Sequence, residues 1–267
     1  MKRCFLFPLL ALLLFTPVPG HADTTLTLVA DQWCPYNCTP GDDRPGYIVE
    51  LMQHIFAKHN ITVKYESMAW TSAIAKTREG EFDALIGASQ SDAPDFVFPH
   101  AIAGMSMMEF WVRKNYPWKY KGVSSLDNVR IGIIEGYSYS KMMDLYLNLH
   151  RGEKKRIQAA TGDNALETNL NKLEAGTIDV TVEDRNVVRH YYESQSSPVA
   201  IQPAGSPLDH DKPEDSFIYV AFAPNKPDSE RYAQLFTEGI EQMRKNGELK
   251  ILLERYNVED WFPVTQR

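Results

Sequence analysis

The chain has 267 residues, 43% hydrophobic and 24% charged, with a formal net charge of −7. That length supports one large or two medium domains, and the apolar content is enough for a packed core. The acidic balance argues against nucleic acid or anionic lipid as a partner.

Lys2 and Arg3 form a short basic region, Cys4 to Phe15 is almost wholly apolar, and Gly20-His21-Ala22 puts small residues at −3 and −1. Residues 1–22 therefore read as a secretory signal peptide cleaved before Asp23. The apolar run is shorter than the roughly 20 residues a bilayer span needs, and no other segment reaches that length. The processed chain is expected in the periplasm, monomeric and without stable membrane insertion. Its formal charge falls from −7 to −9, because two of the 28 basic residues leave with the signal.

Leu26 to Ala30 is an apolar, strand-like run that ends at "DQWCPYNC". Export leaves Cys34 and Cys38 as the only cysteines, and an oxidising compartment makes a disulfide between them the default. The competing reading is a redox-active pair. Such motifs place two residues between their cysteines and open a helix with the first. Here three residues intervene, and the turn-rich Thr39 to Gly46 follows. The spacing favours a stapled loop.

Beyond it, Ile48, Leu51, Met52, Ile55 and Phe56 follow the i, i+3, i+4, i+7, i+8 pattern of an amphipathic helix. Ile61 to Tyr65 alternates as a strand, Thr71 to Arg78 reads as a short helix, and Phe82 to Gly87 as a buried strand. This β-loop-α-β-α-β order implies a mainly parallel sheet with helices on its faces. Ligands bind such sheets at the carboxyl ends of strands, where the Cys-stapled loop hangs. Trp33 and Tyr36 are then either mouth residues or packing aromatics.

A second unit repeats the pattern. Val129 to Ile134 is a predicted strand, Gly136 to Ser140 a turn, and Lys141 to Leu149 a helix. Ala165 to Glu174 is another helix, Ile178 to Val182 a strand ending at Glu183-Asp184, and a helix runs on through Tyr192. Ser194 to Pro213 is predicted loop, Phe217 to Phe222 a strand, and Pro227 to Asn246 a long amphipathic helix.

Five stretches taken together carry a family resemblance. They are "GYIVELMQHIFAKHNITVKYESMAWTSAIAKTREGEFDALIGA", "SLDNVRIGIIEGYSYS", "LNKLEAGTIDVTVED" and "GIEQMRKNGELKILLERYNVEDW", the last of which supplies two, the C-terminal helix with its Asn-Gly turn and the Arg-Tyr that follows. In this order they resemble type II periplasmic solute-binding proteins of family 3, which serve ABC importers of polar amino acids. The resemblance implies an α/β fold of two lobes joined by two crossover strands, with a ligand in the cleft. Lobe 1 is expected over 23–104 plus 223–267 and lobe 2 over 105–222. An ABC transporter permease is the implied partner, and no cofactor is implied.

Carried over residue by residue, Asp184 matches the acidic residue that pairs with a ligand's α-ammonium. Ser138, following Gly136, lies where the family holds a carboxylate with a hydroxyl and helix N-terminal N–H groups. Trp33, Tyr36 and Trp70 fall near cleft walls, Glu50 matches an acidic first-lobe residue, and Ser89 joins the candidate ligand-binding set. One departure follows Gly87. Where the family has Thr-x-x-Arg, with an arginine clamp for the ligand carboxylate, this chain reads "ASQSDAPDFVFP". Asp92 and Asp95 there tilt the expected ligand from a standard amino acid towards a cation or amine, unless they cap the turn.

Other patterns carry less. His54 and His59 do not share a helix face, Asp209-His210-Asp211 reads as a solvated loop, and Met105, Met107 and Met108 suit a strand at the lobe boundary; no metal site is expected. Gly132-x-x-x-Gly136 has no following Lys-Ser/Thr and is not a phosphate loop. The expected function is capture of a small polar solute, an amino acid, amine or related molecule, for an ABC importer or for a signalling receptor that uses the same lobes. The alternative is an enzyme on the same fold, similar to cyclohexadienyl dehydratases, with Glu50, Glu135 or Asp184 as general acid.

Overall fold

A computed structural model of the chain describes residues 24–208 and 212–261. The predicted signal peptide and Asp209-His210-Asp211 lie outside the described residues.

In chain order the elements begin with β1 (Thr24–Ala30), α1 (Tyr47–Ala57), β2 (Ile61–Ser67), α2 (Trp70–Arg78) and β3 (Ala84–Ala88). Next come β4 (Gly104–Met105), β5 (Met108–Arg113), β6 (Ile131–Ile134), α3 (Lys141–Leu149), β7 (Ile157–Ala160), α4 (Ala165–Glu174), β8 (Val180–Asp184) and α5 (Arg185–Ser194). The chain closes with β9 (Ile201–Pro203), β10 (Phe217–Phe222), α6 (Ser229–Asn246) and α7 (Glu248–Arg255). They build two five-stranded sheets, ordered β2-β1-β3-β10-β4 and β7-β6-β8-β5-β9. In the first, β1 lies parallel to β2 and β3, while β10 runs antiparallel to β3 and β4. The second has the same form, with β6 parallel to β7 and β8, and β5 antiparallel to β8 and β9. Each sheet with its helices forms one lobe of the expected two-lobed α/β fold.

The chain crosses from the first sheet to the second between β4 and β5, and returns between β9 and β10. The expected return boundary, after Phe222, is therefore displaced. β10 pairs Phe222 with Ala84 and Ile218 with Gly104, so this strand belongs to the first sheet. Its sequence marks a strand but not the sheet that receives it. β9 also replaces part of the predicted loop 194–213.

The stapled loop and α1 are built as one unit. Cys34 and Cys38 form a disulfide with Cα atoms 4.8 Å apart. No side chain caps α1. Instead its first N–H groups, those of Tyr47 and Ile48, each donate at 3.0 Å to the Pro35 and Tyr36 carbonyls of the loop. The approach needs Gly46. Its φ is +111°, and a Cβ there would stand 2.3 Å from the Asn37 Cα. The apolar face of α1 predicted from spacing, Ile48, Leu51, Met52, Ile55 and Phe56, is buried in the main core, and Phe56 meets Tyr232 of α6 edge-on at 5.6 Å. Burying each such side chain contributes about 1.5–3 kcal/mol.

Candidate ligand-binding site

A cavity of about 550 Å³ opens between the lobes, at the carboxyl ends of β1 and β3 and beside the crossover segments. Its walls are rich in aromatic rings: Trp33, Trp70, Tyr137, Tyr139, Phe217 and Tyr219. Five carboxyl side chains line it as well, those of Asp31, Asp92, Asp144, Glu214 and Asp215. Among the described lining residues Lys141 is the one cationic side chain, and no arginine is present.

Asp31, immediately after β1, is buried and accepts a 2.6 Å hydrogen bond from the Tyr137 hydroxyl of the opposite lobe. Burial raises its pKa to about 6 despite that bond, and Asp163 and Asp92 push in the same direction. Asp92 accepts from the Ser89 N–H at 2.7 Å and the Ser89 hydroxyl at 2.6 Å, so it does cap its turn. It also lines the cavity, where Ser138 of the other lobe turns its hydroxyl and backbone N–H to the same carboxylate. Burial outweighs these bonds and raises the Asp92 pKa, and burial likewise raises that of Asp144. Two buried polar atoms on lining residues have no partner: the Trp70 Nε1 donor and the Asn37 Oδ1 acceptor.

The predicted residues divide. The structure brings Trp33, Trp70, Ser89 and Ser138 to the cavity, and Gly136 sits behind Ser138, where a Cβ would come within 2.5 Å of the Thr71 Cγ2 of the first lobe. Tyr36 is wholly buried beneath the cavity, stacked on Trp33 with centroids 4.1 Å apart. Its hydroxyl accepts from Asn186 Nδ2 at 3.0 Å, and its one proton is shared between the Met105 carbonyl at 3.0 Å and Asp184 Oδ2 at 3.2 Å. Tyr36 is therefore a packing aromatic, not a mouth residue.

Asp184 does not reach the cavity in this arrangement. It is the N-cap of α5: Oδ1 accepts from the Asn186 and Val187 N–H groups at 2.7 and 3.1 Å. Oδ2 accepts from Ser106 Oγ at 3.4 Å and the Met107 N–H, as well as from Tyr36. A carboxylate this fully engaged is not open to a ligand ammonium. Glu50 lies elsewhere altogether, bonded to Arg255 at 2.8 Å and to the Tyr256 hydroxyl, because its face of α1 looks towards α7. Asp95 is exposed and pairs with Arg78.

Sequence reasoning missed Asp31, Asn37, Tyr137 and Asp144. The position of Asp31, first after a predicted strand whose carboxyl end faces the cleft, was a usable signal. Beneath the cavity lies a further buried acid. Glu183 accepts from Trp33 Nε1–H at 2.9 Å and from the Asp184 N–H at 2.8 Å. Burial lifts its pKa to about 8, so it is protonated at neutral pH.

A two-lobed fold whose loops converge on a cavity between the lobes matches a known group. The family model for bacterial extracellular solute-binding proteins, family 3, covers residues 26–259. The chain belongs to this family. It is 22% identical to the probable amino-acid-binding protein YxeM of Bacillus subtilis (strain 168) over 221 residues, 80% of this chain and 76% of that protein. A putative L-cystine ABC transporter protein from Listeria monocytogenes superposes with a TM-score of 0.68 at 17% identity, over 87% of this chain and 95% of its own. A histidine kinase sensor domain with similarity to periplasmic binding proteins gives 0.66 at 20% identity, over 87% and 95%. These structural likenesses concern the fold. This family-3 protein is a solute-binding protein, and no helix among its described residues is long and apolar enough to cross a membrane.

Proposed function

We propose that this protein captures a small organic cation, an amine or quaternary ammonium compound, between its lobes and presents it to an ABC importer after export to the periplasm. The observation that carries this reading is the composition of the cavity: five carboxyl groups and six aromatic side chains against a single lysine. Aromatic faces attract cations, and buried carboxylates gain most from a cationic partner that relieves their desolvation. A free α-amino-acid carboxylate finds the opposite conditions. The Ser138 hydroxyl and N–H, expected to hold it, face the Asp92 carboxylate instead, and an arginine clamp is missing from the described lining.

Binding without chemistry is part of this reading. Glu50 and Asp184, two of the three acids considered for catalysis, are engaged away from the cavity, and the exposed Glu135 does not line it. The test is a thermal-shift screen of the processed protein against amines, quaternary ammonium compounds, polyamines, amino acids, sugars and small carboxylates. At 100 times its Kd, a ligand adds about 2.7 kcal/mol of stability, a shift of a few degrees. Hits among organic cations, recovered chemically unchanged, are the expected result. Hits confined to anionic carboxylates, or conversion of the ligand, overturn the reading.

A further inference from the structure

Away from the ligand cavity, a groove of about 600 Å³ runs along the lobe boundary beside the disulfide. Cys34 of the stapled loop and His190 of α5 both line it. The sulfur atoms of Cys34 and Cys38 and a ring nitrogen of His190 lie within 4.8 Å of one another. Two of these donors belong to the first lobe and the third to the second. His190 is only partly exposed, and an imidazole offers a ring-nitrogen lone pair to a borderline-soft cation.

We propose that reduction of the Cys34–Cys38 disulfide creates a binding site for a zinc-class divalent cation, with Cys34, Cys38 and His190 as ligands and the metal joining the two lobes. The Cys-x-x-x-Cys spacing falls within the C-x(2–4)-C range of thiolate zinc sites. Tetrahedral zinc holds S and N donors about 3.5–3.8 Å apart. On reduction the two sulfurs would part from bonded contact, and the His190 nitrogen already lies within 4.8 Å of both. Asp163 and Glu167 line the same groove and give it a negative field that favours the cation. Sequence alone did not suggest this set, because His190 is remote from the cysteines along the chain.

The chemistry needs a dithiol reductant. The dithiol donates two electrons and two protons to the protein disulfide, leaving as its own cyclic disulfide and yielding two protein thiols. The thiols then bind the metal as thiolates with release of two protons, while His190 adds its lone pair without losing one. Cys34 is partly exposed, which lets the reductant in.

Cobalt(II) added to the whole processed protein serves as a spectroscopic probe. Reduced protein should show a thiolate-to-cobalt charge-transfer band saturating at one equivalent, displaced by zinc, and oxidised protein should show none. His190→Ala should weaken cobalt binding by at least about 10-fold, with His190→Gln as a second variant should the alanine protein unfold. Absence of the band from reduced, folded protein overturns the proposal. So does unchanged affinity in both His190 variants, which would leave a cysteine-only site confined to one lobe.

Discussion

Replacing Glu183 with glutamine isolates the cost of ionising an acid sealed beneath the cavity. The Glu183 carboxyl has its pKa raised by burial from 4.5 to about 8, so the folded state holds its proton more tightly than the unfolded state does. The sign follows directly. Its contribution to stability is fully present below about pH 4.5, declines as pH rises, and is lost above about pH 8. The difference between the two pKa values corresponds to at most about 5 kcal/mol. Opening of the lobes lets water reach the ionised carboxylate, and ionisation strengthens the bond from Trp33 Nε1, so we expect a measured loss of roughly 2–4 kcal/mol. Glutamine keeps an oxygen for both the Trp33 and Asp184 N–H donors but cannot ionise. Urea unfolding at about pH 5, 7 and 9 should therefore give nearly equal stabilities at the acid end. The variant should become the more stable protein by the alkaline end. Asp31, whose pKa is raised to about 6, adds a loss of the same sign at lower pH in both proteins and so cancels in the comparison. Parallel profiles across the whole range would refute the assignment of a protonated Glu183.

Four other outcomes are expected. Asp184→Ala should lower stability by about 2–4 kcal/mol in urea unfolding, because it strips the cap of α5 and strands the Met107 N–H; undiminished stability would contradict the structural role given to this residue. Gly136→Ala, with φ at +84° and its new methyl against Thr71, should hold the lobes apart, giving a larger radius of gyration by small-angle scattering than the wild type. Once a cationic ligand is identified, calorimetry should show its affinity falling as pH drops through about 6, where Asp31 takes up a proton; a flat profile would remove Asp31 from the site. Double replacement of Cys34 and Cys38 by serine should cost about 2 kcal/mol for so short a loop, and native unreduced protein should titrate with no free thiol.

The sequence by itself determined what depends on neighbours along the chain. The apolar spacing of α1 and α6, the turn after Cys38, the Lys141–Leu149 and Ala165–Glu174 helices and strands β1, β2, β3, β6, β8 and β10 follow from local periodicity and turn chemistry, and the structure shows them at or near the predicted bounds, whereas β7 and β9 were not read from the sequence. The departure after Gly87 was also legible, because a missing arginine is a fact of composition. Tertiary structure alone decided which acids face the ligand. Asp184 and Glu50 sit where a family pattern would give them a ligand role, yet the Tyr36 hydroxyl and the Met107 N–H, both distant in sequence, join the local N-cap bonds on the first, and an arginine and a tyrosine from the C-terminal segment occupy the second. Asp31 and Asp92 take up the cavity position because Tyr137 and Ser138 arrive from the other lobe. Whether a carboxylate is engaged, buried or open to a cation depends on groups that converge only when the two lobes close, and spacing along one chain does not encode that convergence.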